Sequence, residues 1–82
     1  MTDSEIRDCF VTEIHKVAPD IDPGDIGDDD HLQDDLELDS MDVLTLVTAL
    51  HARLGVSIPE PDYVQIETPA KAVRYLAARL RD

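Results

Sequence analysis

The sequence predicts an all-α fold: a four-helix bundle of three main helices and one short helix, with a long ordered loop between the first and second helices. Three observations carry that expectation. Apolar residues make up 43% of the chain but aromatics only 4%, so the core has to be built from Leu, Ile, Val and Ala. Apolar positions recur at helical spacing in three separate stretches. Proline and glycine fall between those stretches or at their edges. The 82 residues have room for one core, so residues 1–82 are read as a single domain.

The first helix is expected from about Ser4 to Ala18. Ile6, Phe10, Ile14 and Val17 form one stripe, Thr2, Asp3 or Ser4 can cap it, and Pro19 disfavours its continuation. Residues 19–39, "PDIDPGDIGDDDHLQDDLELD", hold two glycines and two prolines and cannot form a long helix. Ile21, Ile26, Leu32, Leu36 and Leu38 are spaced through them, which predicts a loop pinned to the core. The second helix is expected from Ser40 to Leu54. Asp39 is its N-cap, Asp42 completes a short-armed capping box, and Gly55 stops it. Val43, Leu46, Val47, Leu50 and Leu54 make its buried stripe; Met41, Leu44, Thr48 and His51 form a second row beside it. In "VSIPEPDYVQIETP" three prolines leave space for a short helical turn around Asp62 to Gln65, with Val56, Ile58, Tyr63, Val64 and Ile66 plugging the bundle. The last helix starts with Thr68 as cap and Pro69 at its first position, and buries Ala72, Val73, Leu76, Ala77 and Leu80.

The formal net charge is −12, which argues against binding nucleic acid or an anionic membrane, since both need positive potential. The charge is lopsided. Residues 1–42 hold fifteen acids against two bases, whereas residues 43–82 hold four acids against five bases. Charge runs of this kind commonly solvate a surface, and this one also suits an electropositive protein partner docking near Ser40. Cys9 can form no intramolecular disulfide, and no signal peptide, transit peptide or long apolar run is read, so a cytoplasmic monomer without membrane insertion is expected.

No enzyme chemistry emerges from the residue patterns. Ser40 would need a histidine base, and none of His15, His31 or His51 is near it in sequence; there is no G-x-S-x-G elbow. A calcium loop beginning at Asp20 or Asp28 fails at its glycine position, and the histidines lack zinc spacing, so no specific metal site is expected. Weak divalent binding by Asp28, Asp29, Asp30, Asp34 and Asp35 would relieve their mutual repulsion. For Ser40 two readings stand. It is an ordinary early-turn residue, or it is an attachment point whose phosphodiester would meet the free N–H groups and positive dipole end of the helix.

The run "DDLELDSMD", Asp34 to Asp42, resembles the attachment motif of acyl carrier proteins, typically D-L-G-x-D-S-L-D. The likeness continues through "LVTALHARLGVSIPE", Leu46 to Glu60, and "IETPAKAVRYL", Ile66 to Leu76. It implies covalent 4'-phosphopantetheine on Ser40, placed there from coenzyme A by a phosphopantetheinyl transferase. The arm then carries acyl intermediates as thioesters between acyl-loading and acyl-processing enzymes with basic docking surfaces. On this resemblance Asp39, Met41, Asp42 and Leu44 match the partner-recognition positions around the serine, and the chain itself is not an enzyme.

Three departures qualify the likeness. Glu37 stands where the motif usually has glycine, Pro61 adds a second proline soon after Pro59, and no acid follows Asp42 until Glu60. Glutamates that fatty-acid carriers often show along the second helix are here Thr45, His51 and Ala52. These changes predict a specialised fatty acid, polyketide or lipid carrier with a dedicated partner set. The alternatives are a peptidyl or aryl carrier of a nonribosomal-type pathway, which more often has Gly-Gly-[HD]-Ser, and an unmodified acidic interaction or cation-buffering domain.

Overall fold

The computed structural model describes residues 1–81. Three α-helices dominate: α1 (Asp3–Val17), α2 (Ser40–Leu54) and α3 (Pro69–Leu80). Two 3-10 helices lie in the connections, Pro23–Asp25 in the long loop and Glu60–Ile66 between α2 and α3. The second of these is the short helix of the bundle, and it is longer than the single turn expected.

Local signals set the helix ends. Thr2 caps α1 in a reciprocal capping box: its Oγ1 accepts from the Glu5 N–H at 3.1 Å, and its own N–H donates to Glu5 Oε1 at 2.8 Å. That cap starts the helix at Asp3, one residue before the expectation. The Ala18 N–H still reaches the Ile14 carbonyl at 2.8 Å, and Pro19 ends the run. Gly55 terminates α2 at φ +72°, in the left-handed region that glycine enters without steric cost. Thr68 caps α3, and Pro69 fits at its first position because the N–H it lacks would have no partner there.

The helix α1 packs against both α2 and α3, so its buried stripe forms the centre of the core. Phe10 and Ile14 of α1 meet Leu46 and Leu50 of α2, Ile66, and Ala72 and Leu76 of α3, all fully buried. A buried Phe or Leu stabilises by roughly 1.5–3 kcal/mol, so these few side chains dominate the favourable term. Cys9 is buried, in keeping with a small core thiol. Tyr75 joins the α3 face, which sequence periodicity assigned to aliphatic residues alone; its hydroxyl donates to Asp62 at 2.7 Å.

The long loop is pinned as its spacing predicts. Ile26, Leu32 and Leu38 are buried, while Ile21 and Leu36 pack partly buried against the core. Backbone bonds tie the loop to the start of α3, from the Leu32 N–H to the Glu67 carbonyl at 2.9 Å and from the Ala70 N–H to the Asp28 carbonyl at 3.0 Å. Arg7 fastens it to α1 through Asp28 (2.7 Å) and the Ile26 carbonyl (2.8 Å). One apolar assignment fails. Val64 does not plug the bundle but stands 62% exposed, because three residues per turn put Tyr63 and Ile66 on the inner face and Val64 off it.

Candidate functional site: the head of the second helix

The chain reaches Ser40 through a turn the sequence makes difficult. Glu37 has φ +60°, a left-handed conformation that costs a residue with a Cβ. Leu38 then drops into the core at 4% exposure, anchoring the backbone one residue before the cap. Asp39 Oδ1 accepts from the Asp42 N–H at 2.8 Å, and Asp42 Oδ2 accepts from the Asp39 N–H at 3.3 Å. The capping box read from sequence is therefore complete in both directions.

Ser40 is the first residue of α2 and is exposed. Among the described residues its hydroxyl has no hydrogen-bond partner, and the Ser40 and Met41 N–H groups have no acceptor. The capping box uses the other two early donors. Two N–H groups and the positive end of the dipole are thus left beside an unengaged hydroxyl, a setting that fits a phosphodiester on Ser40.

Beside Ser40 opens a cleft of about 360 Å³. Met41, Leu44 and Val64 form its apolar mouth, 68%, 47% and 62% exposed, which gathers three of the four large exposed apolar side chains at one place. Leu32, Val43 and Tyr63 line it further, and His31, Gln33, Glu60 and Glu67 supply polar groups. His31 holds this wall together. Its Nδ1 accepts from the Gln33 and Asp34 N–H groups at 3.1 and 3.2 Å, which puts the ring proton on Nε2, 3.2 Å from Glu67 Oε2. A hydrogen bond from Lys71 holds the Glu67 carboxyl below the usual glutamate range; burial opposes this and the His31 contact adds to it.

No histidine hydrogen-bonds Ser40 among the described residues; His51 instead lies 3.3 Å from the Ser57 hydroxyl. Nor do the described residues gather three or more metal-ligating side chains. The loop carboxylates are dispersed in ordering the chain: Asp22 accepts from Gly24, Asp30 from Gly27, Asp35 from His31, and Asp28 pairs with Arg7.

Of the residues singled out from sequence, Ser40, Met41 and Leu44 meet at the cleft, and Asp39 and Asp42 frame the helix head. Sequence reasoning missed Val64 and the His31–Glu67 pair. The first was findable from the 3-10 spacing of Tyr63 and Ile66. The second joins residues 36 positions apart and left no local signal.

The chain matches the family model described as a phosphopantetheine attachment site over residues 4–76, and so belongs to that family of carrier domains, which bear covalent 4'-phosphopantetheine. It is 39% identical over 67 residues to a non-reducing polyketide synthase of Preussia isomera, a match covering 82% of this chain and 3% of that protein. It is also 36% identical over 58 residues to the mitochondrial acyl carrier protein of Neurospora crassa, covering 71% of this chain and 43% of that protein. The chain thus spans less than half the length of either relative. No helix among the described residues is long and apolar enough to cross a membrane.

Proposed function

We propose that Ser40 is the attachment residue and that the chain acts as a non-catalytic acyl carrier for a specialised pathway, polyketide or fatty-acid-like, working as a single domain and a cytoplasmic monomer. The observation that carries this reading is the placement of Ser40: exposed, with an unengaged hydroxyl, between two free helix N–H groups and a cleft with an apolar mouth. When bound, the arm supplies a thiol that holds acyl groups in transferable form.

The chain's own residues then do the remaining work. The Ser40 and Met41 N–H groups offset the phosphodiester charge, while the Asp39–Asp42 box fixes the helix head so that the attachment point does not fray. Met41, Leu44 and Val64 give enzymes an apolar footing beside the arm, and the acids at and before Asp42 attract their basic surfaces. Attachment to a docked carrier raises the effective concentration of cargo at each enzyme. Support for a specialised partner set comes from the exposed face of α2, where Thr45, Thr48, His51 and Ala52 carry no acid. A free buried thiol supports the cytoplasmic assignment.

The test is intact mass after incubation with coenzyme A, magnesium and a promiscuous phosphopantetheinyl transferase, beside Ser40→Ala. A phosphopantetheine-sized gain on the wild type alone is expected. No gain with several transferases on folded protein would leave Ser40 an ordinary helix-start residue. Efficient turnover by a generic fatty-acid malonyltransferase and ketosynthase would instead remove the specialised assignment.

A further inference from the structure

The chain's positive charge is concentrated on α3. Between Pro69 and Leu80 the helix carries Lys71, Arg74 and Arg79 and no acid, and Arg81 follows directly, so three of the seven Lys and Arg residues of a −12 chain lie on this one element and a fourth adjoins its end. All four are exposed. Lys71, Arg74 and Arg79 edge a groove of about 530 Å³ between α3 and the 3-10 helix, with Val64, Tyr75 and Ala78 as its apolar part and Asp62 and Gln65 completing its lining.

Two of these cations are held in place. Arg79 reaches Asp62 at 3.1 Å and stacks 4.8 Å from the centre of the Tyr75 ring, and Lys71 pairs with Glu67. Arg74 has no carboxylate partner among the described residues, so its charge is open to a ligand. Val64 lines both this groove and the cleft beside Ser40, which makes the two concavities neighbours across one side chain.

We infer that the α3 groove docks an acidic, partly apolar segment of the enzymes that use the arm. Carboxylates of that segment meet Arg74 and its flanking cations, and an apolar side chain rests on Val64, Tyr75 and Ala78. The carrier's net charge repels an acidic partner at long range, so the contact forms only within about a Debye length of 8–10 Å, once the partner's basic face has engaged the acidic residues before α2. Two opposite charge patches on either side of the arm fix the rotation of carrier against enzyme, and a partner with basic charge on both sides is rejected at α3. This role rests on the carrier reading above; the binding itself does not.

The test titrates isotope-labelled protein with a short amidated peptide of alternating glutamate and leucine, followed by amide chemical shifts at low salt and at about 0.15 M salt. Saturable shifts confined to Val64, Lys71, Arg74, Ala78 and Arg79 are expected, weaker at the higher salt. Arg74→Glu should weaken binding by about tenfold or more, and Arg81→Glu, just past the end of the helix and outside the groove, by less than about twofold. No saturable shift, shifts spread over the surface, or equal weakening by both substitutions would overturn the inference. Mass analysis of Ser40 modification on the same samples separates the two claims. Peptide binding without modification removes the carrier reading and leaves the groove; modification without peptide binding removes the groove alone.

Discussion

Replacing Glu37 by glycine should stabilise the protein. Glu37 holds φ +60° and is exposed, and among the described residues the only other positive-φ position is Gly55. A left-handed residue with a Cβ costs about 1–2 kcal/mol, which glycine would remove. Against this, glycine loosens the unfolded chain and returns about 0.4–1 kcal/mol. The difference lies between about 0 and 1.6 kcal/mol with a midpoint near about 0.8 kcal/mol, a gain that in a domain of this size raises Tm by roughly 3–6 °C. Thermal unfolding followed by circular dichroism, with urea titration beside it, measures the change. The substitution also removes one negative charge from an acidic region, so Glu37→Ala is the necessary control, because it loses the carboxylate but keeps the Cβ. Repeating both at high salt screens the charge contribution. Glycine should exceed alanine in every condition, with Glu37→Asn between them. Equal stability of the glycine and alanine variants would refute the claim that backbone strain sits at this turn.

Three further outcomes follow from other parts of the molecule. Glu13 is buried, and although burial opposes its charge, hydrogen bonds from Lys16 (3.1 Å) and Arg53 (2.8 Å) outweigh it and hold the carboxyl below its ordinary 4.5. Its folded form thus binds the proton less readily than its unfolded form, so its contribution is full above pH 4.5 and is lost as pH falls through the depressed value. Glu13→Gln should flatten that acid limb and cost about 1 kcal/mol at neutral pH, because both cationic partners remain partly hydrated; an unchanged urea midpoint between pH 3 and 7 profiles would contradict it. Met41→Ala with Leu44→Ala should lower kcat/KM for arm transfer to Ser40 by about fivefold or more with little change in Tm; an unaffected rate would place docking elsewhere. Tm should rise with added salt or magnesium, since residues 20–42 crowd eleven acids without a base, and indifference to both would show that the loop carboxylates are already balanced.

The helices were legible because each is marked twice, by a period and by a cap. Thr68–Pro69, Asp39–Asp42 and Gly55 are local chemical signals, and the structure places them where such residues act. The loop anchors Ile26, Leu32 and Leu38 were legible for a weaker reason: apolar residues in a polar stretch need somewhere to go. What stayed hidden depended on other periods or on distance. Val64 lies in a 3-10 segment, to which neither the helical nor the strand period applies. The burial of Glu13 depends on Arg53, forty residues away, and Lys16 at i+3 alone gives no hint that the carboxylate is inside. The wall of the cleft joins His31 to Glu67, a pairing set by how the long loop returns to α3. Ser40 itself could be located from sequence, but its two free N–H neighbours could be identified only once the capping box was seen to take the other two.

That division bears on how an acidic helix head would hold the phosphodiester proposed on Ser40. Two carboxylates next to a phosphate repel it, and the acids at 39 and 42 flank Ser40 closely in sequence. Each of them, however, turns one oxygen inward: Asp39 Oδ1 to the Asp42 N–H and Asp42 Oδ2 to the Asp39 N–H. Part of their charge is thereby offset against backbone donors rather than left facing the arm. The remaining oxygens, Asp39 Oδ2 and Asp42 Oδ1, have no hydrogen-bond partner among the described residues. A carboxylate has two oxygens, so one residue can order the helix and still offer an acceptor to a basic enzyme. A glutamine at 42 would keep an inward acceptor but lose the outward charge, whereas an alanine would lose both. The two substitutions therefore separate the ordering of the helix head from the attraction of partners, a distinction that deleting the acid alone leaves confounded.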